Sequence, residues 1–442
     1  MGTRIAVFGT GYLGATHAAC MAELGHEVIG VDVDTAKLAT LQSGKAPFYE
    51  PGLDELLDKH VATGQLRFSS SYEEAAETAD VHFIGVATPQ RPGEFAADLR
   101  FVDAVIHTLA PLITKPAVIL GKSTVPVGTA ERLDETVRRI SPAGDSVNVG
   151  WNPEFLREGY AVKDTLHPDR IVLGVHSDRP GRVEEVVREV YADLLAQDIP
   201  LLVTDLATAE LVKTAANAFL ATKISFINAM AELCDVTGGD VTLLADAIGH
   251  DARIGRRFLN AGIGFGGGCL PKDIRAFMAR AGELGANHAL TFLAEVDSIN
   301  MRRRVTMVEL VKNMLAGSLI GKRVAVLGAA FKPDSDDVRD SPALNIAGQL
   351  QLQGVAVTVY DPKAMDNSRA LFPTLEYAPS TVDACRGADA TLVLTEWNEF
   401  RALVPADIDT VVRQHNIIDG RNCLDPTVWR GAGWNYRGVG RR

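Results

Sequence analysis

The sequence predicts an α/β protein in which two doubly wound parallel-sheet domains are joined by a helical central domain with a long helix. Three observations carry this prediction. Strand-like and helical patterns alternate up to about residue 205, as in an α/β domain with a parallel sheet. The pattern becomes purely helical over 206–319 and alternates again over 320–442. We therefore predict three domains, at 1–205, 206–319 and 320–442.

Short apolar runs mark the strands of the first predicted domain. The first is Arg-Ile-Ala-Val-Phe at 4–8, and a helical pattern follows it directly. Further strands are predicted at 27–31, 81–86, 117–120, 147–149, 169–175 and 201–203. Because helical segments separate the strands, we expect one parallel sheet.

The central segment has the pattern of packed helices. Residues 207–235 are rich in Ala and Leu at helical spacing and contain no Gly or Pro, which predicts one long helix. A second helical stretch covers 287–315, and a Gly-rich loop lies at 262–268. Strands return at 322–327, 355–360, 391–394 and 416–419. The apolar central helices predict the interface of a symmetric homodimer.

Composition excludes several classes of partner. The 442 residues include 44 basic and 56 acidic side chains, which leaves a net charge of −12. This balance argues against binding to nucleic acid or to an anionic membrane. Aromatic residues make up only 6% of the chain, so stacking platforms for single-stranded nucleic acid are not expected.

Cysteine usage and the N-terminus predict a cytoplasmic protein. Five cysteines lie far apart, with no C-x-x-C pair, which favours neither a disulfide framework nor a thiolate metal site and indicates a reducing compartment. The chain begins Met-Gly-Thr-Arg and enters a strand at once, so no signal peptide is predicted. No apolar run approaches the roughly 18 residues of a membrane span.

A glycine motif follows the first predicted strand and opens the first helix. Its residues are Gly9, Gly11 and Gly14, with Tyr12 and Leu13 between the last two. The first glycine allows a tight turn, the second lets the backbone approach a pyrophosphate, and the third lets helix and strand pack closely. In this strand–helix setting the motif predicts a Rossmann-like dinucleotide site.

The end of the second predicted strand favours NAD over NADP. Asp32 can accept hydrogen bonds from the adenosine ribose and would repel a 2′-phosphate. Lys37 lies nearby and could touch the ribose edge. Thr88 and Thr124 follow later strands, at the sheet edge where α/β proteins hold ligands; a simple turn is the alternative at both positions.

The stretch from Gly264 to Asp273 contains the best candidate for a nucleophile. The glycines before Cys269 permit a close backbone approach to a ligand, and Pro271 suits the first turn of a helix. The thiol would then lie at a helix N-terminus, where the thiolate is favoured. Cys20 and Cys234 instead suit the role of buried filler.

Candidate acid/base groups occur in two further places. Lys213 and Asn217 lie four residues apart and share one face of the long predicted helix, although both could be ordinary surface residues. Glu154 and Glu158 follow a predicted strand end and could do acid/base work, or could be solvent-exposed charge. The histidines have no paired spacing, so no metal site is predicted.

At this point the chain resembles the nucleotide-sugar 6-dehydrogenases over nearly its whole length. The resemblance depends on several stretches in the same order: Gly9–Gly14, Asn152–Gly159, Pro168–Val172, Lys213 with Asn217, Gly264–Asp273, Phe331–Pro333 and Asp419–Arg421. It implies a four-electron oxidation in which the sugar C6 alcohol becomes a carboxylate, two NAD are reduced and water is consumed. Pro168–Val172 favours UDP-glucose as the substrate.

The resemblance also implies roles for the candidate residues. Cys269 would form a thiohemiacetal and then a thioester. Asp273 would hold a water that acts as base, and Lys213 would stabilise the oxyanion. Glu154 would serve acid/base chemistry around hydrolysis, while Thr124 and Asn217 would fix the water and the oxyanion.

Binding residues carry over in the same way. Cofactor contacts beyond the glycine motif are implied for Thr88, Thr124, Glu158, Lys272 and Arg339. Substrate contacts are implied for Glu154, Phe155, Leu156, Arg157, Glu158, Lys213, Asn217, Arg253, Phe258, Asn260, Gly264, Phe265, Gly266, Lys332 and Arg421. Asn260 stands where some members carry lysine and Arg157 where others carry a small residue, which affects substrate detail.

Three alternatives stay open. A sister enzyme acting on GDP-mannose or a UDP-N-acetylhexosamine would share the cysteine loop. A two-electron hydroxyacid dehydrogenase would need no Cys269 and would usually use a histidine. A nucleotide sensor on an inactive dehydrogenase scaffold would have no need of a cysteine behind a glycine loop.

Overall fold

A computed structural model describes residues 2–441. These residues form two compact units. The first contains the chain up to Ala216 together with Arg275–Leu284, and the second contains Asn217–Ile274 and the chain from Gly285 onward. The α/β fold class with two doubly wound sheets and a helical centre is confirmed, and the division into three domains stays a prediction.

The first unit is built on an eight-stranded sheet with the order β3-β2-β1-β4-β5-β6-β7-β8. Its strands are β1 Arg4–Phe8, β2 Glu27–Val31, β3 Leu66–Ser69, β4 Val81–Ile84, β5 Ala117–Gly121, β6 Val147–Trp151, β7 Ile171–Val175 and β8 Leu201–Asp205. Its helices are α1 Tyr12–Glu23, α2 Thr35–Gln42, α3 Leu53–Ala62, α4 Tyr72–Thr78, α5 Arg100–Leu109, α6 Thr129–Ile140, α7 Ala161–Leu166, α8 Val183–Val190 and α9 Ala192–Leu195.

Both faces of this sheet are covered, as the apolar strands require. Along β1, Ile5 and Val7 join one hydrophobic cluster, while Ala6 and Phe8 join another. This alternation follows the two-residue period of a strand. Helices on both faces therefore leave the carboxyl ends of the strands as the open edge for ligands.

Four helices lie between the two sheets in the chain. They are α10 Leu206–Thr237, α11 Val241–Gly249, α12 Leu270–Glu283 and α13 Thr291–Met314. The predicted long helix at 207–235 matches α10 closely. The stretch predicted from 287 begins instead with a 3₁₀ turn at Asn287–Leu290, and α13 starts after it.

The second unit carries a six-stranded parallel sheet with the order β11-β10-β9-β12-β13-β14. The strands are β9 Arg323–Leu327, β10 Ala356–Tyr360, β11 Glu376–Tyr377, β12 Ala390–Val393, β13 Asn416–Asp419 and β14 Asn435–Gly438. The helices around them are α14 Pro342–Leu352, α15 Met365–Leu371, α16 Thr381–Cys385, α17 Asn398–Arg401 and α18 Pro426–Gly431.

Two features of the sheets differ from the sequence prediction. Strands β3, β11 and β14 were not predicted, because they are short and their polar residues weaken the apolar pattern. The first sheet is also not wholly parallel, since β6 and β7 pair antiparallel through Trp151 and Gly174. Within residues 2–441, no helix is long and apolar enough to cross a membrane.

Candidate active site

The glycine loop of the first unit lies between β1 and the start of α1. Gly9 has a φ of +88°, and a Cβ at Gly14 would overlap the Gly9 carbonyl oxygen. A Cβ at Gly11 would meet no protein atom within 4 Å, so the backbone there faces open space. No side chain caps α1 at Gly11, which leaves the helix start able to bind an anion. These features fit the pyrophosphate of a dinucleotide.

Asp32 is held at the end of β2 by several donors. Its Oδ2 accepts from the Thr10 backbone N–H at 2.7 Å and from Lys37 Nζ at 2.9 Å, and its Oδ1 accepts from the Asp34 N–H at 3.0 Å. Burial favours the neutral acid, but these hydrogen bonds outweigh it and lower the pKa of Asp32. The carboxylate is therefore ionised and fixed beside the glycine loop, as a ribose contact requires.

Tyr12 ties the first turn of α1 to the segment after β6. Its hydroxyl donates to Glu50, and the Gly159 N–H donates to Tyr12 Oη at 2.8 Å. Burial, reinforced by the hydrogen bond to Glu50, raises the pKa of Tyr12 far above its usual value. Glu50 also accepts from the Ala161 N–H at 2.7 Å. The sequence pattern did not predict Glu50, because a lone glutamate between two turns gives no signal.

The two predicted threonines meet at neighbouring strand ends. Thr88 Oγ1 donates to the Thr124 carbonyl oxygen at 2.7 Å, and Ser123 Oγ donates to the Val86 carbonyl oxygen at 2.6 Å. Thr88 is buried, whereas Thr124 is half-buried. These bonds fix the segment after β5 against the segment after β4, and both lie at the carboxyl edge of the sheet.

Glu154 and Lys213 form a buried ion pair. Lys213 Nζ lies 3.0 Å from Glu154 Oε1, and Glu154 Oε2 accepts from the Leu156 N–H at 2.9 Å. The Phe155 ring packs beside this pair, with Lys213 Nζ 5.7 Å and Arg170 Cζ 4.0 Å from its centroid. The structure therefore brings two predicted catalytic groups together in the first unit, and adds Arg170.

Lys122 is a buried cation that the sequence pattern did not predict. Its Nζ donates to Asn152 Oδ1 at 2.9 Å and to Tyr191 Oη at 3.3 Å, and burial lowers its pKa to about 8. Asn152 in turn donates to the Val172 carbonyl oxygen at 2.8 Å. This network holds the start of the 152–159 segment. A lysine directly after the apolar strand β5 was the available signal.

In the second unit, Cys269 directly precedes α12. The thiol-bearing residue is exposed, and its carbonyl oxygen accepts from the Asp273 N–H at 2.9 Å. One turn into the helix, Asp273 Oδ2 accepts from Asn217 Nδ2 at 2.6 Å, and Lys272 Nζ binds Oδ1. Asn217 and Asp273 are both buried. The nucleophile candidate is thus reachable, while the Asp273 carboxylate is held in one orientation.

The glycines before Cys269 pack against the protein itself. A Cβ at Gly267 would lie 2.8 Å from the Phe331 ring, and a Cβ at Gly268 would overlap the Arg339 guanidinium. Gly267 N–H also donates to the Arg339 carbonyl oxygen at 2.9 Å. The sequence prediction that these glycines admit a ligand needs this correction: at Gly267 and Gly268, the close approach is made by the 331–340 segment.

Two asparagines hold the same loop from the helical side. Asn300 Oδ1 accepts from the Phe265 N–H at 2.7 Å, and its Nδ2 donates to the Phe265 carbonyl oxygen at 3.0 Å. Asn228 Oδ1 accepts from the Gly262 N–H at 2.8 Å. Neither residue was predicted, because an asparagine within a helical pattern usually indicates a surface position. Phe265 and its neighbours are buried.

Arg421 lies at the end of β13 and contacts the glycine loop. Its Nη1 donates to the Gly264 carbonyl oxygen at 3.1 Å, and its Nη2 donates to the Phe331 carbonyl oxygen at 3.2 Å. Lys332 Nζ lies 5.6 Å from the centroid of the Phe331 ring. Both cations therefore lie close to one segment of the second unit, as a diphosphate contact requires.

Several predicted substrate residues have other partners in this structure. Arg157 pairs with Asp164 at 2.6 Å. The Arg253 side chain is 89% exposed and pairs with Asp251 at 2.6 Å, while Asn260 accepts from Arg256 at 2.8 Å. The remaining predicted positions are Leu13 in the first turn of α1, Glu158 in a buried turn, and Phe258 with a φ of +66°. None of the described residues forms a group of three or more His, Cys, Asp and Glu suited to a metal.

Three family models match consecutive parts of the chain. They are the NAD binding domain of the UDP-glucose/GDP-mannose dehydrogenase family at residues 3–195, its central domain at 207–302 and its UDP binding domain at 325–426. A UDP-glucose 6-dehydrogenase of Rhizobium meliloti is 41% identical over 438 residues, which cover 99% of each chain.

Solved structures agree with these matches. A UDP-glucose dehydrogenase from Pyrobaculum islandicum superposes with a TM-score of 0.90 at 36% identity, covering 100% of this chain and 98% of that one. A UDP-D-ManNAc dehydrogenase from Pyrococcus horikoshii gives a TM-score of 0.86 at 27% identity, covering 99% of both chains. The likeness extends over both sheets and the helices between them.

Proposed function

This chain belongs to the UDP-glucose/GDP-mannose dehydrogenase family, and we propose that it oxidises UDP-glucose to UDP-glucuronate with reduction of two NAD. The observation that carries the four-electron reaction is the exposed Cys269 at the start of α12, one turn before the Asn217–Asp273 pair. A two-electron alcohol oxidation needs no thiol, whereas oxidation of an aldehyde through a thioester does.

The first oxidation needs a proton acceptor at the C6 hydroxyl. NAD, when bound, accepts the hydride from C6 in each of the two oxidations. Asp273 holds the water that takes the alcohol proton: each carboxylate oxygen has two acceptor positions, and Asn217 and Lys272 use one on each oxygen. Lys213, whose ammonium is held beside Glu154, stabilises the developing oxyanion with its positive charge.

The second oxidation proceeds on the cysteine. The Cys269 sulfur bonds to the aldehyde carbon, and the carbonyl oxygen takes a proton, which gives a thiohemiacetal. Loss of the remaining C6 hydrogen as hydride, and of the hydroxyl proton, leaves a thioester. Water then adds to the thioester carbon with Glu154 as base, the C–S bond breaks, and the thiol regains its proton as the carboxylate leaves.

The stoichiometry of the purified protein tests this function. We expect two NADH for each UDP-glucose consumed and no accumulation of free aldehyde. Cys269→Ala should bind UDP-glucose and still reduce supplied aldehyde with NADH, yet make no UDP-glucuronate. Cys423→Ala, which removes another cysteine of the second unit, serves as the control. One NADH per sugar in the parent protein would indicate a simple dehydrogenase and overturn the proposal.

The nucleotide sugar is the finer part of the proposal. The similarity of the Pyrococcus horikoshii structure makes a UDP-N-acetylhexosamine the second candidate, but the Rhizobium relative has the higher identity. NADH release is to be measured with UDP-glucose, GDP-mannose and UDP-N-acetylmannosamine at equal concentrations. Fastest turnover with either of the last two would reassign the substrate.

A homodimer belongs to the same proposal. Phe219, Phe226 and Leu233 are exposed on α10 at seven-residue spacing, so they form one apolar stripe in the second unit. Such a stripe suits a second copy of this chain. Phe226→Glu should yield monomers by analytical ultracentrifugation, whereas Leu371→Glu, at an exposed position on α15, should not. A parent protein that sediments as a monomer would refute the homodimer.

We also infer a cytoplasmic location. None of the five cysteines, all of them among the described residues, forms a disulfide, which suits a reducing compartment. Fractionation of cells followed by immunoblotting tests this, and recovery of the protein in an extracytoplasmic fraction would contradict it.

A further inference from the structure

Glu210 is a buried carboxylate on α10 for which the reaction above has no role. It is 2% exposed. Its Oε2 accepts from the Gly128 N–H and its Oε1 from the Ala130 N–H, both at 2.7 Å. The carboxylate therefore binds the first N–H groups of α6, which lacks a side-chain cap of its own at Gly128.

Arg280 holds the same turn from α12. Its Nε donates to the Val127 carbonyl oxygen at 3.0 Å. Gly128 has a φ of +92°, and a Cβ there would lie 3.2 Å from Arg280 Nη2, so only glycine suits this position. Residues 127–130 are thus fixed by a carboxylate on one element and a guanidinium on another.

The turn at residues 127–130 begins three residues after the candidate catalytic Thr124. Thr124 is itself bonded through its carbonyl oxygen to Thr88, and Thr129 Oγ1 donates to the Pro126 carbonyl oxygen at 2.5 Å. On α10, Glu210 lies three residues before Lys213, so the two share a helix side. The start of α10, which lies in the first unit, therefore carries both Glu210, which binds the turn after Thr124, and Lys213, which pairs with Glu154.

We propose that Glu210 is a positioning residue that holds the Thr124 segment in register with the Lys213–Glu154 pair, an inference that rests on the proposed function. Its carboxylate touches none of the reacting atoms. It acts through the backbone of residues 128–130, so its loss should slow turnover while UDP-glucose still binds.

Protonation of Glu210 would weaken the hydrogen bonds that its carboxylate accepts from the turn at residues 128–130. Burial raises the pKa of Glu210 to about 7, against the hydrogen bonds from residues 128–130 and the charge of Arg280. Arg280, from α12, is the charged group that faces the carboxylate, and α6 presents backbone N–H groups to it. While the carboxyl group stays buried, protonation relieves its burial penalty but weakens its bonds to the N–H groups of residues 128–130, so its hold on that backbone should weaken as the pH falls below about 7.

The test compares Glu210→Gln, Glu210→Asp and the exposed control Glu135→Gln on α6 across pH 6 to 9. We expect kcat for UDP-glucose to fall about tenfold in Glu210→Gln with KM changed by less than about twofold. The acid limb of the parent profile near pH 7 should also disappear. Glu210→Asp should recover part of kcat, and Glu135→Gln should match the parent. Unchanged kcat and pH profile in Glu210→Gln would overturn the proposal.

Hydrogen exchange of the 123–130 peptide separates this inference from the proposed function. Faster exchange in Glu210→Gln, with unchanged kcat, would mean that Glu210 stabilises the 128–130 backbone without affecting turnover, and would also overturn the proposal. If the parent protein fails to oxidise UDP-glucose, the proposed function fails, while the exchange data still report whether Glu210 stabilises that backbone. If Glu210→Gln does not fold, the parent at pH 6 and pH 8, corrected for intrinsic exchange rates, together with kcat of Glu210→Asp, decides the outcome.

Discussion

Each of the two sheets has an aspartate at the same place in its topology, and the surroundings of the two aspartates differ. Strands β3-β2-β1-β4-β5-β6 and β11-β10-β9-β12-β13-β14 follow one topological order. Asp32 directly follows the second strand of the first sheet, and Asp361 directly follows the corresponding strand of the other. Each accepts from the backbone of the loop after the first strand, at 2.7 Å from Thr10 and 2.7 Å from Ala329.

The two aspartates differ in their exposure and in the distance along the chain from the first strand to the next helix. The Asp32 side chain keeps 9% of its surface exposed, and α1 starts four residues after β1. Asp361 is 1% exposed and also accepts from the Trp397 indole at 3.1 Å, while α14 begins only at Pro342. One topology therefore yields the predicted ligand contact in the first sheet and a structural anchor in the second.

The largest expected effect is loss of the structural anchor. Asp361 accepts from Ala329, Ala330, Lys363, Ala364 and Trp397. Asp361→Asn would turn a donor toward some of these donors, and should destabilise the second unit by about 4 kcal/mol. Urea unfolding measures this, with Asp366→Asn, at an exposed position on α15, as the control. A loss below about 1 kcal/mol would remove the distinction between the two aspartates.

A second test uses acid to separate the two units. Among the described residues, the buried histidines are His17, His26, His60 and His82, all in the first unit. Neither ring nitrogen of His82 has a hydrogen-bond partner, and burial lowers its pKa to about 4. The unfolded chain takes up this proton below about 6.5, so stability present above that pH is lost as the pH falls toward 4.

The expected loss from His82 is about 2 kcal/mol between pH 7 and pH 5. Hydrogen exchange of β1 and β4 peptides, corrected for intrinsic rates, should therefore accelerate at pH 5 before that of β9 and β12. His82→Phe should reduce this acid sensitivity, and His107→Gln, at an exposed site on α5, should not. Equal acceleration in both sheets would contradict the assignment.

Cofactor preference tests the predicted role of Asp32 as a contact to the ribose of NAD. The parent protein should prefer NAD over NADP by at least about tenfold, or roughly 1.4 kcal/mol, because a 2′-phosphate meets a carboxylate. Asp32→Ala should narrow that ratio and raise KM for NAD, with a smaller effect on unfolding than Asp361→Asn. Kinetics with both cofactors measure it, with exposed Asp58→Ala as the control. Equal use of both cofactors by the parent protein would remove this role.

The smallest expected effect comes from Lys37. Its ammonium lies 2.9 Å from Asp32 Oδ2 and offsets part of the negative charge that would meet a 2′-phosphate. Lys37→Ala should therefore increase the preference for NAD over NADP by about threefold, as expected for a partly exposed ion pair. The same kinetics with both cofactors decide this, and a reduced preference would mean that Lys37 contacts the ribose more than it screens the carboxylate.

The sequence predicted the features that depend on local spacing. Gly9, Gly11 and Gly14 with Asp32 follow strands of strong apolar pattern, and the long helix over 207–235 lacks Gly and Pro, so local pattern suffices for both. Lys213 and Asn217 share a face for the same reason.

Features that depend on contacts between distant residues escaped prediction. Glu50 binds the backbone more than a hundred residues later, and Asn300 binds a loop thirty-five residues before it. The glycines before Cys269 suggested a ligand, yet at Gly267 and Gly268 the close neighbours are Phe331 and Arg339. In each case the partner lies far away in the chain, so no local spacing reveals it.

The first unit is discontinuous, because Arg275–Leu284 belongs to it, and this limits how the gene can be divided. A cassette that ends at residue 205 would encode all eight strands of the first sheet. It would nevertheless omit Glu210 and Arg280, the two side chains that fix residues 127–130. A chimera that exchanges the first unit of this protein must therefore include α12 and the start of α10 as well as the sheet.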